Sequence, residues 1–305
     1  MKQSTKGAGS LSRKLTAILL SVAMLVTGVA MAADNSIYVD QTGSGATVTM
    51  TQDGYGNVIR GTANGDNTTN AVIYGDNNQV NISQVGSNNT LKLGIQSTTG
   101  NGQANPAVNY SVTGNNANAV IDINANGQNN AESNTVTVTQ TGNTASLKVG
   151  VIGNENSISA TTAGGANNSV TANINGNNNT QNISLTGGGN NSATVNQGAG
   201  GATNGNSVGI TAVGASNTFA ITQDGGTQGN SVTIGGYTAG SALTGSSNSV
   251  AVTQNGSNDN TATIGITGGS NTVSVYQGAT TGVNNTANLK ISGSTNAITV
   301  NQNKP

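Results

Sequence analysis

The sequence predicts an all-β protein, a β-solenoid of strand–turn–strand–turn repeats roughly ten turns long with Asn and Gln ladders facing inward. Three observations predict it. A motif with strand periodicity, Asn-x-φ-x-φ-x-Gln with φ aliphatic, recurs along most of the chain. Gly-Asn, Asn-Gly, Gly-Gly and Asp-Gly steps separate the copies. Finally, only 33% of the 305 residues are hydrophobic and 2% aromatic, against about 45–50% apolar in an ordinary domain. So few large side chains cannot wrap one thick globular core. Disorder usually couples low hydrophobicity to high net charge, and here the net charge is −1.

The first 32 residues stand apart. Lys2, Lys6, Arg13 and Lys14 precede an apolar run from Leu15 to Val29, which ends at Ala30-Met31-Ala32. Basic n-region, short apolar core and small-x-small site together describe a secretory signal peptide. The run falls short of the ~20 residues a membrane span needs, so the expectation is cleavage, export and no membrane insertion. Residues 33–305 are then expected to form one repeat domain.

Within that domain the motif reads Asn134-Thr-Val136-Thr-Val138-Thr-Gln140-Thr-Gly142 and Asn248-Ser-Val250-Ala-Val252-Thr-Gln254-Asn-Gly256. Other copies run from Asn35 to Gln41, Asn78 to Gln84, Asn191 to Gln197, Asn217 to Gln223, Asn271 to Gln277 and Asn296 to Gln302. A degenerate copy with Ala46 in the Asn place ends at Gln52. Sister segments without Gln open at Asn89, Asn143, Asn168, Asn206, Asn230, Asn260 and Asn285. Successive strand residues point to opposite faces, so Asn134, Val136, Val138 and Gln140 share one face and the intervening threonines the other. β-Branched residues suit such a pleat, and the glycines and asparagines supply the positive φ of tight turns. One repeat buries about four aliphatics at ~1.5–3 kcal/mol each but orders some two dozen residues at ~1–2 kcal/mol apiece. Stacking is therefore required.

Stacking also accounts for the amides and the missing charges. Equivalent residues lie about 4.8 Å apart along the axis, where inward Asn and Gln can hydrogen-bond their own copies. Like charges at that spacing would repel. The expected ladder comprises Asn35, Gln41, Gln52, Asn78, Gln84, Asn134, Gln140, Asn191, Gln197, Asn217, Gln223, Asn248, Gln254, Asn271, Gln277, Asn296 and Gln302. Clusters such as Asn177-Asn178-Asn179 are read as turn residues.

The inventory removes most chemistry. With no Cys and no His there is no thiolate or imidazole nucleophile, base or soft metal ligand, and no disulfide or cofactor is expected. Beyond the leader only Arg60, Lys92, Lys148, Lys290 and Lys304 are basic, too few and too scattered to neutralise phosphates. Enzymatic β-helices need convergent carboxylates with a basic partner, and the acidic residues, mostly at turns, have none at a repeat-matched offset. Gln52-Asp53-Gly54 and Gln223-Asp224-Gly225 are isolated turns, not tandem calcium repeats. Outward Thr pairs such as Thr49/Thr51 and Thr137/Thr139 resemble an ice-binding face, but Ser249, Ala251 and Thr253 interrupt the file.

Strand signals come within three residues of residue 32 and of the C-terminus, with no cap between, so both edges are expected to be open to head-to-tail pairing and cross-β stacking between subunits. The extended motif Asn-x-φ-x-φ-x-Gln-x-Gly-x-x-Asn, seen with its downstream part in Gln84-Val-Gly86-Ser-Asn88 and Gln254-Asn-Gly256-Ser-Asn258, resembles the curlin repeat over most of residues 35–302. That family comprises the secreted amyloid subunits of bacterial curli fibres. The resemblance implies export through the periplasm to the cell surface, polymerisation with itself, a nucleator subunit and dedicated export machinery as partners, and a role in biofilm matrix and adhesion. Alternate strands here lack the inward Gln, and the turns are about twice as many as in a typical curlin. A monomeric or fibre-associated adhesin is the second reading.

Overall fold

The computed structural model describes residues 35–304, apart from 38, 43–46, 60–70, 75–78, 96–106, 122–133, 145, 165, 188, 199–202, 225–228, 237–240, 257–258 and 280–282. The expected leader and Asn78 lie outside the described residues. Every strand pairing among the described residues is parallel, as successive turns of one coil require. The chain alternates between two sheets. The first sheet stacks strands opening at Ser36, Val58, Thr90, Asn118, Ser146, Ser169, Ser192, Thr218, Ser249, Thr272 and Ala297, eleven in order along the axis. The second sheet carries the half-turns between them, from Thr47–Val48 through Thr135–Thr141 and Ser207–Val213 to Thr286–Ser292.

Both sheets bury the face that the alternation selects. Thr135–Thr141 follows a strict exposed–buried pattern, with Val136, Val138 and Gln140 inside. Ser146–Ile152 and Ser169–Asn177 do the same with Leu147, Val149 and Val151 and with Val170, Ala172 and Ile174. The result is a thin core two side chains deep, continuous along the axis. Sheet-on-sheet packing at about 10 Å leaves room for no more. The scarcity of aromatics follows: Phe219 and Tyr110 are the bulkiest fully buried side chains.

The corner between strands is a short recurring turn. Its Gly has φ near +110° and is followed two residues later by a left-handed residue, as at Gly86 (φ 114) with Asn88 (φ 57) and Gly268 (φ 125) with Ser270 (φ 58). The next residue opens the following strand. A Cβ on Gly268 would lie 1.9 Å from the carbonyl oxygen of Gly293 in the adjacent layer. Glycine is therefore required there twice, by conformation and by the backbone stacked against it. Gly164 has φ +62 but nothing within 4 Å of its Cβ position.

Charge placement follows the stacking constraint. In the described register every charged residue lies against a neutral one: Lys148 against Thr171, Lys290 against Gly265, Asp53 against Val85 and Asp224 against Asn255. The two kinds of turn glycine should therefore separate on substitution. Gly268→Ala is expected to lower stability by about 2–3 kcal/mol, combining backbone strain with the steric clash. Gly164→Ala should cost nearer 1 kcal/mol, the left-handed penalty alone. Denaturant midpoints of the two variants measure the difference.

Candidate functional site

The polar interior is the most specialised part of the molecule. Several strand-opening Asn residues, among them Asn134, Asn156, Asn217, Asn248 and Asn271, reach into the next layer with both ends of the amide. Asn248 Oδ1 accepts the backbone N–H of Asn271 (3.1 Å), and its Nδ2 donates to the carbonyl of the corner residue Gly268 (3.0 Å). Asn271 treats Asn296 and Gly293 in the same way, and Asn217 treats Asn248 and Gly245. Each of these clips the turn above it at two points, whereas Asn206 and Asn230 hold it through Oδ1 alone. Backbone groups that the tight corner leaves without ladder partners are satisfied.

Two such files run along the axis. In the first sheet Asn35, Asn57 and Asn89 begin a file that passes to the N–H of Ala117. It resumes as Asn191, Asn217, Asn248, Asn271 and Asn296. In the second sheet Asn134, Asn156, Asn179, Asn206, Asn230, Asn260 and Asn285 are linked without interruption. Motif spacing groups Asn134 with Asn191, yet the structure puts them in opposite sheets. Asn57, Asn156 and Asn179 belong to the files although the motif does not mark them. Asn179 is a clip, whereas its neighbour Asn178 is the left-handed turn residue (φ 57). Asn143 sits in the corner, one residue after Gly142, and its Oδ1 accepts the N–H of Asn115.

The glutamines form a separate ladder at the corner between the sheets. From Gln181 each Nε2 donates to the next Oε1, through Gln197, Gln223, Gln254 and Gln277 to Gln302, at 2.8–3.1 Å. The same Nε2 groups also donate to backbone carbonyls, as Gln223 does to Ser207 and Gln277 to Thr261. Gln181 was not marked by the motif, because it occupies the second position of its strand.

The N-terminal glutamines behave differently. Gln52 donates to Gln84 at 2.8 Å, but both lie in the second sheet. Gln84 is followed by Val112, and Gln140 is held between Val112 and Thr162. Neither amide atom of the buried Gln140 has a hydrogen-bond partner, so it does not join a ladder. Gln41 stands opposite Ile73 in the register. Gln-bearing strands thus occupy the second sheet at Gln52, Gln84 and Gln140 and the first sheet from Gln197 onward. Five half-turns separate Gln140 from Gln197, an odd number. Counting strand signals between glutamines would reveal the switch.

Beside this discontinuity lies Tyr110, fully buried, its Oη without a hydrogen bond of good geometry. Burial pushes its phenol far above the ordinary value, and the nearby Gln84 amide works weakly against that rise.

The outermost described layers complete the site. Ile37 is 45% exposed, and Val39, Val48, Met50, Leu289, Ile298 and Val300 are only partly buried, while their counterparts in interior layers are fully covered. These are the inward apolar side chains of the first and last turns. Gln302, the last rung, accepts from Gln277 and spends one Nε2 hydrogen on Thr286. In interior rungs the second hydrogen goes to the next glutamine.

Elsewhere, a groove of about 460 Å³ crosses the outer face of the second sheet where Gly209, Gly235 and Gly265 replace side chains. Thr, Asn and Lys290 line it, with no acid–base pair. Among the described residues no three of Asp, Glu, His or Cys come together, and no helix is long and apolar enough to cross a membrane. The chain forms a β-solenoid of repeats with stacked amide ladders, and no catalytic site is apparent among the described residues. Comparison with protein-family models, characterised proteins and solved structures found no match.

Two expectations follow. Asn248→Ala removes the two hydrogen bonds its Oδ1 accepts from Asn271 and the two its Nδ2 donates, to Gly268 and to Asn217. With buried donors left unpaired it should destabilise by about 3 kcal/mol, whereas Asn301→Ala on the outer face should leave the denaturation midpoint within about 0.5 kcal/mol. Tyr110→Phe should be neutral or stabilising, since no hydrogen bond is lost. The raised phenol pKa also fixes a sign. Only the unfolded chain ionises this group near pH 10, so wild-type stability should fall as pH rises above about 10. The Phe variant should lose that part of the alkaline decline in a denaturation series from pH 8 to 11.5.

Proposed function

We propose that this chain is a secreted structural subunit that assembles head-to-tail into curli-like fibres of a biofilm matrix and thereby supports adhesion and surface colonisation. One observation carries the reading: Ile37, Val39, Val48, Met50, Leu289, Ile298 and Val300, inward apolar residues of the first and last described turns, are open or half-open, while the same positions in interior turns are sealed. Among the described residues, Ser36–Ile37 and Ala297–Lys304 each pair with a neighbour on one side only, and strand edges of matching pitch pair with further copies of themselves. Covering them with a second copy extends the core, both Asn files and the strand ladders together. A basic and apolar leader supports export, and the curlin-like motif supports a fibre at the cell surface, reached with a nucleating subunit and dedicated export machinery as partners.

Kinetics of assembly test this reading. The full chain, exported from a bacterial host and recovered from denaturant, should convert at micromolar concentration to fibres that bind thioflavin T and are visible by negative stain. Sheared fibres should abolish the lag. A β-rich chain that remains monomeric for days with seeds present would sink the proposal and favour a monomeric adhesin.

A further inference from the structure

The described solenoid both begins and ends in the first sheet, at Ser36 and at Lys304. It therefore makes a half-integral number of turns, and this bears on how one copy sits upon another. Resting on the fibre reading above, we propose that successive copies are related by a half-turn rotation about the solenoid axis. The first-sheet strand that opens one copy then lands on the second-sheet column of the copy beneath.

The backbone supplies the first argument. Along one chain the strands alternate strictly between sheets, each adding half a layer. If the next copy stacked without rotation, its Ser36–Thr42 segment would cover Ala297–Lys304. Its Thr47–Asp53 segment would then stand two layers above Thr286–Ser292. One strand would be missing from the second sheet at every junction. The void would be one strand thick, about 4.8 Å, with Leu289 facing it and the edge of Thr286–Ser292 unpaired. Rotation by a half-turn removes the vacancy, because Ser36–Thr42 fills the place above Thr286–Ser292. The half-turn from Thr47 to Asp53 then completes the layer above Ala297–Lys304.

The side chains supply the second. In the rotated arrangement Ile298 meets Val48, Val300 meets Met50 and Leu289 meets Val39. All six of these residues are the partly buried apolar groups of the end layers. The last rung of the C-terminal ladder, Gln302, meets Gln52 at the matching strand position. The series beginning at Gln181 thereby continues through Gln52 to Gln84 of the next copy. The movement of glutamine from the second sheet to the first within one chain, otherwise a discontinuity, is the shift that restores the ladder between rotated copies. In the same register Gln41 falls opposite Ile291, as it falls opposite Ile73 within its own chain.

Because the chain has no cysteine, paired cysteine substitutions report the junction directly. Thr49 and Thr299 are exposed on the outer faces at opposite ends, and rotation makes them neighbours one layer apart. Ser36 and Ala297 become neighbours only without rotation. Fibres of T49C/T299C and of S36C/A297C, grown reduced and treated with a short bis-maleimide, would be dissolved and resolved on a denaturing gel. The expected result is loss of the monomer band to a ladder of covalent multimers for T49C/T299C, with the S36C/A297C monomer band retained. Multimers from S36C/A297C, or none from T49C/T299C although its fibres form, overturn the rotation and leave the fibre reading standing. Failure of the unsubstituted chain to form fibres overturns both.

Discussion

The structure depends on one recurring contact, the asparagine amide that grips the turn above it. A parallel strand ladder fixes layer spacing but tolerates slippage along the strand, because alternation alone repeats every two residues. The clip removes that freedom. Asn Oδ1 takes the first N–H of the next strand and Nδ2 takes the carbonyl of the corner glycine, so a shift by even one residue would break both bonds. Length between clips is correspondingly free: Asn134 and Asn156 are 22 residues apart, Asn57 and Asn89 32.

Corner glycine and clip asparagine are two halves of one device. The carbonyl that the asparagine grips belongs to a glycine whose φ turns that oxygen along the axis, and the glycine one layer below has no Cβ to obstruct it. This coupling explains why a chain with 45 glycines can still be rigidly specified. The conformational freedom of glycine is consumed at defined corners, and the thin core of Val, Ile, Leu and Ala fills what remains between the sheets.

Much of this was legible in the sequence. Alternation from Asn134 to Gln140 placed four side chains inside and the threonines outside, and the six-residue interval from Asn to Gln located amides on the buried face. No single strand announces its sheet, because strands of both sheets carry the same period-two pattern. Asn134 and Asn191 look alike for that reason, although they occupy different files. Gln140 illustrates a second limit. Its motif is intact, but a ladder needs a partner in the layer on either side, and Val112 and Thr162 stand there instead. Asn156 carries no motif mark and Asn179 reads as a turn residue, because their strands have Thr162 and Leu185 where the motif has Gln.

Strict nearest-layer contact gives this architecture an unusual relation to its own length. Asn248 bonds to Asn217 and Thr218 in the layer below and to Gly268 and Asn271 in the turn above. The 23 residues from Asn248 to Ser270 thus form a closed module whose loss would bring Asn217 against Asn271 with every position matched. Genetic duplication or deletion of whole modules would leave both ends of the molecule as they are. Size is then open to drift while the two end layers keep their sequence and their form.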